Sequence, residues 1–286
     1  MAASSSVASD PGFLRLLLSR RSVIVALIVF LVIAGLCILA GWVAPMSPSK
    51  MSVRARLAPP FGDYLLGADA YGRDVLSRLL YAGRTSLTIG FGVATLSTVI
   101  GIAIGLLAGF FRRLDAPLSR LIDAMMAFPD ILLAIALVAI LGGSMVNVIL
   151  ALSIVYVPRF ARISRASTLV IRELPFVEAS RALGSSTRYV IVNHVLRNIV
   201  SPITVQATFI FAYAMLAEAG LSFLGVGIDP ATPTWGTMIN EGRQFIDQAT
   251  WLIVFPGLAI SISVLSLQII GDGLRDALDP RLAKDM

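Results

Sequence analysis

Long apolar runs dominate the chain, separated by breaks rich in Arg, Pro and Gly. The first, Ser22 to Ala44, is 23 residues without a charge. At about 1.5 Å per helical residue, such a run is long enough to cross a hydrocarbon core of roughly 30 Å. Further runs cover Ser86 to Phe111, Leu121 to Leu141, Gly143 to Ser164, Ile203 to Phe223 and Ala249 to Ile270. The pattern predicts an all-α membrane protein with six transmembrane helices. In the fourth run only Met145 to Val157 is free of charges and breakers, so this span must use Pro158 and let Arg159 or Arg162 snorkel toward water. The first run exceeds the roughly 7 to 15 apolar residues of a secretory signal, and Trp42 and Pro45 flank its exit, so it is read as an uncleaved anchor.

Composition supports the membrane reading and then orients it. Hydrophobic residues make up 57% of the 286 and charged residues 14%, against about 25% in soluble domains, and mean hydropathy is +0.86. All but two of the 23 Lys and Arg are Arg. With the N-terminus in the cytoplasm, 16 positive residues fall inside and seven outside, as the positive-inside rule favours. Six spans then return the C-terminus to the cytoplasm. The isoelectric point near 10 therefore reflects cytoplasmic loops rather than a nucleic-acid partner. The expected division is a cytoplasmic segment 1–21, a first span 22–44, an extracytoplasmic segment 45–85, a five-helix core 86–271 and a cytoplasmic tail 272–286. Six of the seven outer positive residues crowd between Lys50 and Arg84, half offset by Asp63, Asp69 and Asp74.

The most informative connection is Arg159 to Pro202, a cytoplasmic loop of 44 residues between neighbouring spans. Pro175 suits a first helical turn, Glu178 favours the positive end of the helix dipole, and Gly184 supplies a left-handed C-terminal residue. These predict a short helix of about nine residues. Ser185 or Ser186 then caps a second, Thr187 to Ile199, which Pro202 stops.

At Glu178-Ala179-Ser180, with Gly184 six positions after the Glu, the sequence resembles the EAA loop of ABC importer permeases. Ser180 replaces the family's usual Ala. Leu66-Gly67-Ala68-Asp69-Ala70-Tyr71-Gly72-Arg73-Asp74-Val75-Leu76-Ser77-Arg78 is similar to the outer segment of the dipeptide and oligopeptide branch. So are Leu221-Ser222-Phe223-Leu224-Gly225-Val226-Gly227 with Trp235-Gly236, and Gly271-Asp272-Gly273-Leu274-Arg275 running on to Arg281. Gln268 departs from the branch's common Asn. The resemblance is closest to the second permease subunit. It implies the type I importer permease fold with an additional N-terminal span, in a bacterial inner membrane. It also implies a homologous second permease, two cytoplasmic ABC ATPases and an extracytoplasmic binding protein that delivers di- or oligopeptides. Relatives also carry glutathione, nickel chelates and other small solutes. The segment Glu178 to Gly184 would be the coupling helix that docks on an ATPase.

Chemistry in this chain is sparse. A phosphate-binding P-loop needs Lys followed by Ser or Thr, but Lys50 precedes Met51 and Lys284 precedes Asp285. ATP and magnesium are therefore expected on partner subunits, with no cofactor or metal bound here. One Cys, Cys37, and one His, His194, cannot supply the usual metal or nucleophile constellations, so no catalytic residue is assigned. Gly101, Gly105 and Gly109 line one helix face and are read as a packing stripe. Glu218 lies inside an apolar run and is read as a satisfied structural hydrogen-bonding group ahead of the alternatives of a cargo contact or a gating position. Asp123, Pro129 and Asp130 in the third span, and Pro256 in the sixth, are read as packing, hinge or gating positions. His194 is read as a surface or interface residue, and Asp272 to Arg281 as a helix end with local ion pairs. An ion-coupled secondary transporter would need paired mid-membrane acids, and only Glu218 and Asp130 come near that description.

Overall fold

The computed structural model describes residues 17, 20–229 and 231–278. Five helices are long and apolar enough to span a bilayer, and a sharply bent pair supplies a sixth crossing if counted as one span. Helix α1, Arg21–Ile38, is apolar on every side, as a lipid-facing helix is, and buries only Val23, Ala26 and Cys37. It leads through a short turn, Ala40–Val43, into an irregular segment. That segment folds back on itself: Ser52 N–H donates to Tyr71 O, Leu57 N–H to Asp69 O, and Ala68 N–H to Ala58 O. Gly72 has φ +69°, and any Cβ there would collide with the Ser52 carbonyl, so this crossing requires glycine.

Helix α2, Val75–Phe110, starts eleven residues before the expected Ser86. Asp74 caps it, accepting from Ser77 N–H at 2.8 Å. Charges at Arg78 and Arg84 made residues 75–85 resemble an aqueous segment, but Arg78 is buried and paired with acids from elsewhere in the chain. At 36 residues the helix is about 54 Å long, well beyond one bilayer core.

The third crossing is not one helix. Helix α3, Arg112–Met126, and helix α4, Asp130–Leu141, meet at 93° across a three-residue break. Pro129 lacks an N–H and disfavours helical geometry at Phe128, which ends α3 there. Helix α4 alone is about 18 Å long and cannot cross a bilayer.

Helix α5, Met145–Ile171, passes through Pro158 and continues seven residues beyond the expected end at Ser164. Its arginines are paired as well as partly exposed: Arg159, Arg162 and Arg165 meet Asp130, Asp123 and Asp115. Gly101, Gly105 and Gly109 of α2 lie directly against Phe160, Ser164 and Thr168 of α5, where any side chain would collide. The stripe is a close helix–helix contact, as expected.

The 159–202 connection is mostly not a loop. Helix α5 occupies its first part, helix α6 is Pro175–Ala182, and the helical run resumes at Thr187. No separate second helix ends at Ile199: a π-helical stretch, Val190–Leu196, leads straight into helix α7, Arg197–Phe223. Pro202 lies inside this continuous run without stopping it: the ring removes one backbone hydrogen bond, and the buried face of α7, including Ile199, Ile203 and Ile210, holds the helix through it.

Helix α8, Trp235–Gly242, is held by a capping box between Thr234 and Thr237. Helix α9, Trp251–Leu278, contains Pro256 and runs through the expected boundary at 271. Near its end Asp276 pairs with Arg20 at the start of α1, so this stretch is tied across the bundle rather than locally. Residues 279–286, including the Asp279-Pro280-Arg281 part of the tail motif, lie outside the described residues.

Candidate functional site

Three polar constructions stand out from the apolar bundle. The first is the turn around α6. Pro175 occupies its first turn with Glu178 close behind, as expected. At its far end Gly184 has φ +83°, its N–H donates to Arg181 O, and Ser185 N–H donates to Ser180 O. These two bonds form a Schellman closure, and glycine supplies the left-handed residue. Ser186 then caps the next helix through Tyr189 N–H at 3.3 Å. Val177 is fully buried, whereas Glu178, Ala179 and Gly184 are exposed and Leu183 is 87% exposed. Sequence reading did not connect Ser180 with His194. Their Oγ and Nε2 share a hydrogen bond at 3.2 Å, and Ser180 Oγ donates to Ser185 Oγ at 3.0 Å. The His194 ring also lies edge-on to Phe176 and Tyr189, so His194 is a strut between α6 and the π-helical stretch.

The second is a row of ion pairs between α5 and the bent α3–α4 pair. Arg165 Nε donates to Asp115 at 2.5 Å and Arg162 Nη2 to Asp123 at 2.8 Å, while Arg159 reaches Asp130 beside the break. Arg159 also lies over the rings of Tyr156 and Tyr213. Asp123 and Asp130 are therefore salt-bridged positions on either side of Pro129, which sits at the bend. A trace was visible in the sequence: arginines three apart on one helix face, opposite acids seven or eight apart on the preceding segment. Pro256 is buried inside α9 and joins none of these groups.

The third lies at the other end of the bundle. Glu218 is fully buried in α7, accepting from Ser222 Oγ at 2.8 Å and Ser86 Oγ at 3.3 Å. Ser86 Oγ in turn accepts from Trp235 N–H at 3.2 Å, so one carboxylate ties α7 to α2 and the start of α8. Nearby, Arg78 Nη1 donates to Asp69 at 2.7 Å and to Glu241 at 2.6 Å, and Arg73 bridges the same two acids at 2.6 and 2.9 Å. This balanced quartet joins the 45–74 segment, α2 and α8. Arg73 and Glu241 are 168 residues apart, and no local pattern announces their pairing. Among the described residues, no group of three or more His, Cys, Asp or Glu is placed to hold a metal.

A bundle of five long apolar helices and one bent pair, with a short exposed helix on a capped turn at one end, is the architecture of a multi-pass membrane protein. The chain belongs to the family of binding-protein-dependent transport system inner membrane components, whose model matches residues 101–284. Residues 12–60 match a second family model, the N-terminal transmembrane domain of oligopeptide transport permease C. A putative peptide transport system permease of Brucella suis is 48% identical over 268 residues, covering 94% of this chain and 90% of that protein. The di/tripeptide transport system permease DppC of Pseudomonas aeruginosa is 44% identical, covering 90% and 87%. The dipeptide permease DppC of Escherichia coli K12 is 43% identical, covering 92% and 90%. Among solved structures, a chain of the methionine ABC transporter MetNI in an inward-facing conformation superposes with a TM-score of 0.58 at 20% identity, covering 71% of this chain and 98% of that one. This likeness places the fold. The chain is a multi-pass inner-membrane permease of an ABC importer.

Proposed function

We propose that this chain is one of two paired permease subunits of a di- or oligopeptide importer, driven by two partner ATPases and supplied by an extracytoplasmic binding protein. Peptide cargo follows from the relatives, whose names specify peptides, dipeptides and di/tripeptides. ATP and magnesium belong to the partners, both termini face the cytoplasm, and the 45–74 segment faces outward. Helix α6 docks on an ATPase and transmits its opening and closing. The observation that carries this coupling role is the exposure of Leu183, Glu178 and Ala179 on a turn rigidly closed by Gly184 and braced by His194. An exposed apolar residue on a preorganised turn offers a partner contact area at little ordering cost.

The test is uptake of a labelled dipeptide by cells lacking the gene and by the same cells complemented. Uptake lost in the first and restored in the second is the expected result. Unchanged uptake, with no redundant importer present, overturns the peptide assignment and directs the assay to glutathione or metal chelates.

A further inference from the structure

Where α2 ends, the chain passes from Phe110 and Phe111 directly to Arg112, the boundary between an apolar span and a basic segment. A cavity of about 350 Å³ opens there, and arginines from three elements converge on it: Arg112 of α3, Arg172 after α5 and Arg181 of α6. Arg172 is held in place, its Nη1 donating to Gly109 O at 2.6 Å and its Nε to Glu173 at 2.9 Å. Arg181 lies 4.8 Å over the Phe110 ring. Glu173 is the lone acid on the wall, and Arg172 already engages it. Among the described residues Arg112 and Arg181 join no ion pair. Ser185 also lines the cavity, and because its Oγ accepts from Ser180, its own hydroxyl proton remains free to donate.

We infer that this cavity binds a phosphate ester, with Arg112 and Arg181 as its charged contacts and Ser185 as a neutral donor. Planar guanidinium groups match phosphate oxygens in paired hydrogen bonds, and two uncompensated cations beside a donor hydroxyl define an anion site. It sits where the apolar run Ser86 to Phe111 gives way to Arg112, the kind of boundary found at headgroup depth, which favours the phosphate of an anionic phospholipid over free phosphate. That depth rests on the permease reading, in which this end faces the cytoplasm. Arg181 belongs to α6 itself, so a bound headgroup would link the bilayer to the proposed coupling helix.

The experiment uses the whole importer complex in nanodiscs of phosphatidylcholine mixed with phosphatidylglycerol, with native mass spectrometry counting the lipid retained after stepwise delipidation. Wild type should retain phosphatidylglycerol over phosphatidylcholine. Arg112→Gln and Arg181→Gln should each lower that retention about fivefold, the effect of one interfacial cation. Arg112→Lys, which keeps the charge but not the paired hydrogen bonds, should fall between wild type and Arg112→Gln, and Arg120→Gln, an exposed arginine off the cavity, should match wild type. Co-purification of the subunits checks assembly of each variant. Displacement of the lipid by inorganic phosphate at equal concentration would overturn the lipid source. Equal retention by wild type and Arg112→Gln, or equal loss with Arg120→Gln, would overturn the site. Loss of the ATPase from Arg112→Gln with lipid retention intact would make the cavity a protein contact and overturn it as well. None of these readouts depends on which cargo is carried, so a failed peptide assignment leaves the inference standing.

Discussion

Gly184 performs a task that few other residues can. No atom lies within 4 Å of where its Cβ would be, so a substitution there meets strain and no clash. With φ at +83°, a β-branched side chain costs about 1–2 kcal/mol. Gly184→Val should loosen the α6 closure, lower peptide uptake and reduce co-purification of the ATPase, while immunoblots show unchanged protein in the membrane. Normal uptake and normal co-purification would remove α6 from the coupling role. Position and left-handed geometry were legible from the Glu-to-Gly spacing, since capping is local chemistry. The brace behind it was not, because Ser180 and His194 are fourteen residues apart and meet only through the turn. Ser180→Ala and His194→Ala should each destabilise modestly, and the double variant should show a coupling of about 0.5–1.5 kcal/mol in thermal unfolding. Strict additivity would mean that the hydrogen bond contributes nothing.

Glycine takes on a different role at the scale of whole helices. Gly105 of α2 sits against Ser164 and the Ala161 carbonyl of α5, and backbone cannot retreat as a flexible side chain can. Gly105→Leu should therefore force the two helices apart and cost more than the roughly 1–3 kcal/mol typical of overpacking. A lower melting temperature in detergent, with less protein in the membrane, is the expected outcome; a wild-type melting curve would show that the contact is loose. The repeat of glycines every four residues announced this face. Helix lengths were less legible, as α2, α5 and α9 all run past their apolar stretches. Hydropathy reports where lipid is tolerated, whereas a helix ends where its backbone bonds end. Pro129 breaks the third crossing while Pro158, Pro202 and Pro256 are carried inside continuous helices. Only the packing around each proline separates these outcomes.

For the molecule as a whole, charges close the structure at both ends. At one, Arg78 and Arg73 join Asp69 to Glu241, and α8 is drawn onto the start of α2. Arg78 is buried, so Arg78→Ala would leave two acids with one cation between them, a loss of about 3–5 kcal/mol for a buried network. Proteolysis should then cut the 45–74 segment faster than in wild type. Unchanged cleavage would mean that the quartet is ornamental to the fold. Toward the opposite end, the α5 arginines hold α3 and α4 on either side of their bend, and Arg20 with Asp276 ties the first helix to the last.

The sequence by itself determined that the chain crosses a membrane about six times, which connection carries the α6 turn, and which family motifs occur in order. Each depends on short-range features, such as an apolar run, a capping residue or a glycine at a fixed offset, and those act over one or two helical turns. Tertiary structure alone decided the bend at Pro129, the continuity from Thr187 through Pro202, and the partner of every intramembrane charge. Arg78 and Glu241 are 163 residues apart, so what makes that arginine tolerable inside a helix cannot be read from its neighbours. A buried charge is stable only when a partner is delivered to it, an opposite charge for Arg78 or hydroxyl donors for Glu218, and that delivery is a property of the folded chain.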